Sequence, residues 1–219
     1  MEKLELYSYC KSSAAYRVRI ALNLKNVDYT FKYVSLTARG GENFTPEYLE
    51  INPQAMVPAL TINGEVLTQS TAIIEWLEEN FPTPSLLPYT SLQRAQARSL
   101  AQIIACDIHP LNNLRVLDYI KGYLQKTETG IDEQVWYQHW VREGFEALET
   151  ILASSIETGD FCIGNTPTIA DVYLVPQVFN AIRFNCDIDN YQTLMGIYQR
   201  CTEIDAFFQA APEQQEDYI

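Results

Sequence analysis

Histidine, positive charge and long apolar runs are all scarce in this 219-residue sequence. It has two histidines and five widely spaced cysteines, Cys10, Cys106, Cys162, Cys186 and Cys201, with no CxxC pair. That excludes a His-rich or paired-cysteine metal centre, so no metal is expected. An odd cysteine count in a chain of this size also argues against a disulfide framework. Reduced thiols, mostly buried as small apolar residues in a cytoplasmic protein, are the plain reading. Fifteen Lys and Arg stand against 28 Asp and Glu, a formal net charge of −13. No segment supplies the basic stripe a phosphate-backbone binder needs, and the acidity opposes docking on anionic lipid; neither nucleic acid nor membrane is an expected partner. No apolar run approaches the ~20 residues of a membrane helix. Met1 to Glu5 runs straight into a strand-like pattern and lacks the apolar core of a signal peptide.

What remains is a globular composition, 47% apolar and 12% aromatic, with enough material for a substantial core. The order of patterns to about Phe81 is β-α-β, then β-β-α. Leu4–Tyr7 alternates like a strand. Ser12 to Asn26 reads as a helix, with Val18, Ala21, Leu22 and Lys25 on one face and Ser12 or Ser13 as cap. Tyr29–Val34 is a second strand, followed by a loop with Gly40-Gly41 and a short helix before Pro53. Ala59–Ile62 and Glu65–Leu67 flank Asn63-Gly64, a strong hairpin signal. Ser70 to Asn80 is a helix that Ser70 caps, with Ala72, Ile73 and Leu77 as its apolar face. Prolines then punctuate a linker, and from Ser91 only helical periods appear. These are Ser91–Leu124 (bent near Pro110), Glu133–Ser155, Thr168–Phe184 opened by a capping-box-like Thr168-x-x-Asp171, and Tyr191–Ala210. The end, Glu213–Ile219, is acidic and reads as a frayed, solvated tail. The expected division is 1–82, a linker at 83–89, and an all-α domain at 90–219.

Three places in the first half have chemical potential. Val57-Pro58 precedes a strand, where the backbone of Val57 can pair with an extended peptide; it also reads as a simple strand-start proline. Gln69-Ser70 opens a helix, where free N–H groups favour a carboxylate; it also reads as a plain cap. Ser12-Ser13 opens another, where a hydroxyl and the helix end would lower a thiol pKa; again a cap suffices. Neither histidine is near in sequence to activate a serine, so hydrolase chemistry has no support. One ligand suits all three places: a small peptide with a carboxylate, an extended middle and a thiol, as in glutathione.

The sequence resembles zeta-class glutathione transferases, a family that includes maleylacetoacetate and maleylpyruvate isomerases. The resemblance spans nearly the whole chain. It is carried by Tyr7 to Leu22 with Ser12-Ser13, by Asn52-Pro53 and Val57-Pro58, and by Gln69-Ser70-Thr71-Ala72. In the second half it is carried by His109-Pro110-Leu111-Asn112-Asn113-Leu114-Arg115, Thr168-Ile169-Ala170-Asp171 and Asn180-Ala181-Ile182-Arg183-Phe184. It implies a thioredoxin-like α/β N-terminal domain, an all-α C-terminal domain, a homodimer and a glutathione cofactor. By that resemblance Ser12, with Ser13 beside it, is catalytic and holds the glutathione sulfur. Val57 pairs with the peptide backbone ahead of a cis Pro58, and Gln69 and Ser70 hold the γ-glutamyl carboxylate. Asn43, His109, Asn113 and Arg115 are further contacts to the cofactor or second substrate. Arg183 and Arg115, with Arg17 as a weaker third and Tyr9 in the loop before Ser12, would face an enone dicarboxylate. Arg17 and Arg19 lie two apart on one helix and cannot share a face, so at least one is structural, and Arg19 is the favoured one.

The implied reaction is cis–trans isomerisation by reversible thiolate addition. A broader glutathione transferase, conjugating electrophiles or removing halide from α-haloacids, is the enzymatic alternative. A non-catalytic adaptor of the same fold is the other. One departure stands out: the family's helix start reads Ser-Ser-Cys with an aromatic two places on, normally Trp, whereas this chain has Ala14 and Tyr16. Its nearby cysteine, Cys10, sits in the preceding loop. A thiolate supplied by glutathione does not need the missing cysteine.

Overall fold

Residues 3–124 and 132–218 are described in a computed structural model. Met1, Glu2 and Ile219 therefore lie outside the described residues. Contacts divide the chain into two compact units, Met1–Leu86 with Glu203–Ile219, and Leu87–Thr202. The closing segment thus groups with the first half.

The first unit opens with β1 (Leu4–Ser8), α1 (Ser13–Leu24), β2 (Thr30–Tyr33) and, after two 3-10 turns, α2 (Pro46–Ile51). The hairpin β3 (Ala59–Ile62) and β4 (Glu65–Thr68) and the helix α3 (Ser70–Asn80) complete the α/β part. The sheet order is β2-β1-β3-β4. β1 runs parallel to β2 and antiparallel to β3, with Leu6 opposite both Phe31 and Leu60. The parallel pair needs the α1 crossover and the antiparallel pair only a tight turn. Asn63 and Gly64 make that turn with φ of 52° and 97°, the left-handed pair a type I′ hairpin demands.

Helix α1 buries the expected face, Val18, Ala21, Leu22 and Lys25. Lys25 reaches a core position by ending on acceptors: the Phe81 and Pro84 carbonyls at 2.6 and 3.0 Å and the Glu78 carboxylate at 2.7 Å. Burial alone would raise the Glu78 carboxyl, but the bonds from Lys25, Ser85 and Leu86 outweigh it and hold the group below its ordinary value. In α3 the apolar face is Ile73, Ile74 and Leu77, whereas Ala72 is exposed. A residue beside Ile73 falls outside the stripe once Ile74 occupies it.

The expected helix over 191–210 is two: α8 (Gln192–Thr202) in the second unit and α9 (Asp205–Ala210) in the first. Helix α9 packs on α1. The segment after it is not a frayed tail. A 3-10 turn at Pro212–Gln214 leads to Asp217, which bonds back to Cys10. Such long-range partners leave no trace in a local pattern.

The second unit holds α4 (Ser91–Gln102), a π-helical turn over Ile103–Ile108, α5 (Leu114–Leu124), α6 (Glu133–Ser154) and α7 (Ile169–Arg183), besides α8. The bend expected near Pro110 follows the π turn, where the His109 N–H closes on Ile104 O at 2.9 Å; Pro110, lacking an N–H, cannot continue a helix. Helix α6 packs on that turn, and a Cβ at Gly144 would collide with Ile108. The start of α7 carries the anticipated capping arrangement. Buried Asp171 accepts from the Thr168 N–H and hydroxyl at 2.7 and 2.8 Å and from the Cys162 N–H at 2.8 Å. Burial lifts its carboxyl above the ordinary value against the pull of these bonds. Among the described residues no helix is long and apolar enough to cross a membrane.

Candidate active site

Ser12 is the N-cap of α1, and its side chain accepts from the Ala15 N–H at 3.3 Å. A hydroxyl that caps by accepting keeps its own proton to donate, and Ser12 is only partly buried. No acid occupies the first turn of α1, so no side chain of that turn offsets its positive end. Ser13, the first helical residue, is buried.

The turn before Ser12 is held on several sides. The Ser12 N–H bonds Tyr9 O at 3.0 Å. Fully buried Arg19 sends Nη2 to Cys10 O at 3.0 Å, Nη1 to Ser8 Oγ at 3.1 Å and to Tyr9 O at 3.4 Å, and Nε to Ala210 O at 2.9 Å. Burial lowers this guanidinium to about 10, which leaves it charged at neutral pH. Arg19 therefore has the structural role expected of it. Arg17 is buried too and reaches Ser70 Oγ at 3.5 Å.

At the α3 start the cap is Gln69, in a left-handed conformation with φ of 71°, and Ser70 is the first helical residue. This corrects the expectation that Ser70 caps. Positive φ at Gln69 turns the chain sharply, so that Ser70 Oγ meets Arg17. The Gln69 amide donates to Gln54 Oε1 at 2.7 Å, joining the α3 start to the loop before β3. No acid sits in the first turn of α3 either.

That loop ends in a cis Val57-Pro58 bond. The Met56 carbonyl accepts from Tyr48 Oη and Asn52 Nδ2, both at 2.7 Å, and buried Asn43 holds Ala55 O at 2.8 Å. Asn43 thus braces the loop. Among the described residues no loop or side-chain hydrogen bond uses the backbone N–H or C=O of Val57. Val57 packs in one buried cluster with Tyr9, Cys10, Val34 and Tyr48. Tyr9 is buried, with its hydroxyl 3.4 Å from Thr37 Oγ1. Through the Arg17–Ser70 and Gln54–Gln69 bonds and this cluster, Ser12, Val57-Pro58 and Gln69-Ser70 form one connected region.

In the second unit His109, Asn113 and Arg115 lie between the π turn and the start of α5. Asn113 accepts the Val116 and Leu117 N–H groups on its carbonyl at 2.9 and 3.1 Å and the Arg115 N–H on Oδ1 at 3.2 Å. Arg115 and Arg183 are exposed, and neither forms an ion pair among the described residues. Arg183, in the last turn of α7, lies over the Phe184 ring at 5.2 Å. It lines a cavity of about 170 Å³ with Leu117, Tyr137 and Phe184, whose floor includes the Tyr137–Phe184 stack at 4.0 Å.

Cys10, the cysteine closest in sequence to Ser12, is buried, and its thiol donates to Asp217 O at 3.3 Å. Burial first, then the Asp217 charge, pushes it up to about 11. It is not a ready thiolate. All five cysteines are free, and no cluster of metal-ligating residues occurs among the described residues. Sequence reasoning missed Tyr48, Gln54 and Asp217. The Asn52-Pro53 turn could have pointed to the first two, since Asn52 Oδ1 accepts the Gln54 N–H at 3.1 Å; nothing local points to Asp217.

A family model described as the N-terminal domain of glutathione S-transferase matches residues 6–85. A probable maleylacetoacetate isomerase of Vibrio cholerae is 46% identical over 218 residues, 99% of each chain. The holo structure of a maleyl pyruvate isomerase, a bacterial zeta-class glutathione S-transferase, superposes with a TM-score of 0.93 at 43% identity, covering 98% of this chain and 100% of that one. A maleylacetoacetate isomerase from Anaeromyxobacter dehalogenans, with dicarboxyethyl glutathione and citrate in its active site, does so with a TM-score of 0.86 at 36% identity over 100% and 94%. Full-length identity of this order, on the same mixed sheet and helical unit, shows that the chain belongs to the zeta-class glutathione S-transferase family of maleylacetoacetate and maleylpyruvate isomerases.

Proposed function

We propose that the chain is a glutathione-dependent cis–trans isomerase of an enone dicarboxylate of the maleylacetoacetate or maleylpyruvate kind. The observation that carries the reading is Ser12, a capping hydroxyl with its proton to spare at the start of a helix whose first turn contains no acid. The residues of the first unit fit glutathione. Val57, whose backbone N–H and C=O are unengaged among the described residues, offers a donor and acceptor for a peptide in strand fashion. Ser70, the Gln69 amide and the first-turn N–H groups of α3 fit the γ-glutamyl carboxylate. When bound, glutathione would supply a thiolate for reversible addition to the enone carbon β to the carbonyl, the C=C electron pair passing to the enolate so that the former double bond could rotate before the enolate expelled the thiolate again.

The chain's own work is electrostatic. Ser12 donates to the sulfur, and with the α1 end it favours the ionised thiol. Arg183, exposed and unpaired with an acid among the described residues, takes a substrate carboxylate through two parallel donors; Arg115 is the second candidate. Arg17 acts in this reading through Ser70, and Tyr9 as a core support of the turn. In a body of charge −13, uncompensated arginines are what make a dianion acceptable locally. Free cysteines throughout suit a reducing cytoplasm, and a homodimer is the assembly proposed.

The test is glutathione binding together with turnover. Ser12→Ala should keep glutathione affinity within a few-fold while kcat falls roughly 100-fold, as for loss of one preorganised donor. Unchanged kcat would remove Ser12 from the chemistry.

A further inference from the structure

The closing segment returns to the turn that presents Ser12. Asp217 Oδ2 accepts the Cys10 N–H at 2.8 Å, the Asp217 carbonyl accepts the Cys10 thiol at 3.3 Å, and the Tyr218 ring lies 5.2 Å from Lys11 Nζ. The other polar groups of the turn have partners from elsewhere: Tyr9 O from Ser12 and Arg19, Cys10 O from Arg19. The Cys10 N–H depends on Asp217. The second carboxylate oxygen, Oδ1, is buried without a hydrogen-bond partner. The carboxylate charge lies against the Cys10 sulfur, with the Arg19 guanidinium and, on the Cys10 side, the Lys11 ammonium as the cations that face the pair.

We propose that Asp217 is a positioning residue for the active site: it fixes the Cys10–Ser12 turn so that the Ser12 hydroxyl points at the glutathione sulfur, and it keeps Cys10 a thiol. A thiolate at Cys10 would put a negative charge on the turn that presents Ser12, and like charges oppose the ionisation of a thiol held there. The carboxylate next to Cys10 disfavours that state, while Ser12 and the helix end favour the thiolate at the ligand. The first role rests on the isomerase reading; the second does not.

The experiment compares wild type, Asp217→Ala and Asp217→Asn. Three quantities are read: Cys10 alkylation by iodoacetamide, followed by peptide mass spectrometry with exposed Cys106 as internal reference; the ultraviolet thiolate titration of bound glutathione; and kcat and KM on a cis-enone dicarboxylate. Asp217→Ala should alkylate Cys10 at least about tenfold faster relative to Cys106, since each unit of lowered thiol pKa is tenfold in thiolate. Its bound-glutathione titration should move up by roughly one unit, and kcat should fall about tenfold with the glutathione KM within twofold. Asp217→Asn keeps an acceptor for the Cys10 N–H, so it should restore kcat and the glutathione titration while Cys10 labelling stays intermediate. An unchanged titration and unchanged labelling in Asp217→Ala would overturn the proposal. So would a uniform loss that Asn fails to rescue, which marks a merely structural tail. If the wild type binds glutathione but isomerises nothing, the function reading fails, and labelling and titration still decide the role of Asp217.

Discussion

Arg19 in the first unit and Arg183 in the second use the same side chain in opposite ways. In the first, Arg17 and Arg19 are almost fully buried, and Arg19 has four protein oxygens around it. In the second, Arg115 and Arg183 stand exposed with no acid paired to them among the described residues, while Arg142 and Arg200 form ion pairs. A buried guanidinium is tolerated only when its donors are met; it then acts as a fastener, drawing β1, the Tyr9–Ser12 turn and the end of α9 onto one point. An exposed one costs little to keep and stays available to an anion. The same side chain builds the thiol side of the chemistry and, in our proposal, binds on the carboxylate side.

The contrast breaks most visibly at Arg19. Arg19→Met would strand the buried carbonyls of Cys10 and Ala210 and take one of two donors from Tyr9 O, and should cost roughly 3–5 kcal/mol in urea unfolding. A loss under about 1 kcal/mol would deny the fastener role. Next comes Cys10 in the wild type. Because its pKa is raised, to about 11, the protonated thiol is the form that persists through neutral and mildly alkaline pH. Its alkylation should be about 100-fold slower than that of an ordinary thiol below pH 9, and should keep rising toward the raised pKa. A plateau near the ordinary thiol value would show that Asp217 and burial do not hold it. On the other side of the comparison, Arg183→Ala should cut kcat/KM for the dicarboxylate about 10- to 100-fold, the value of a charge-assisted pair. Its melting behaviour should stay within about 0.5 kcal/mol of the wild type. Arg115→Ala should have the smallest effect, about fivefold or less in kcat/KM with no change in stability. If Arg115 proves the more damaging of the two, the assignment of the carboxylate site moves to the start of α5.

Local chemistry was legible in the sequence and distant chemistry was not. The Asn63-Gly64 hairpin, the span Ser70–Asn80, the break near Pro110 and the Thr168–Asp171 arrangement all follow from short-range rules of turn, cap and period. Ser12 as cap was legible for the same reason. Ser70 was misplaced by one residue because a glutamine with positive φ took the cap, which no propensity favours. The break at Glu203–Ile204 and the docked segment after Ala210 were hidden, since their partners are α1 and Cys10, some two hundred positions away. The same holds for Lys25. Its place on the apolar face was readable, but the three acceptors that make a buried ammonium stable come from the end of α3 and the residues after it.

The most direct test of the central claim is isomerisation of maleylacetone by the purified protein, with and without glutathione, for wild type and Ser12→Ala. Loss of the cis isomer is expected only when glutathione is present, slowed roughly 100-fold in the variant with glutathione still bound. Isomerisation that proceeds without glutathione, or that is indifferent to Ser12, would contradict it.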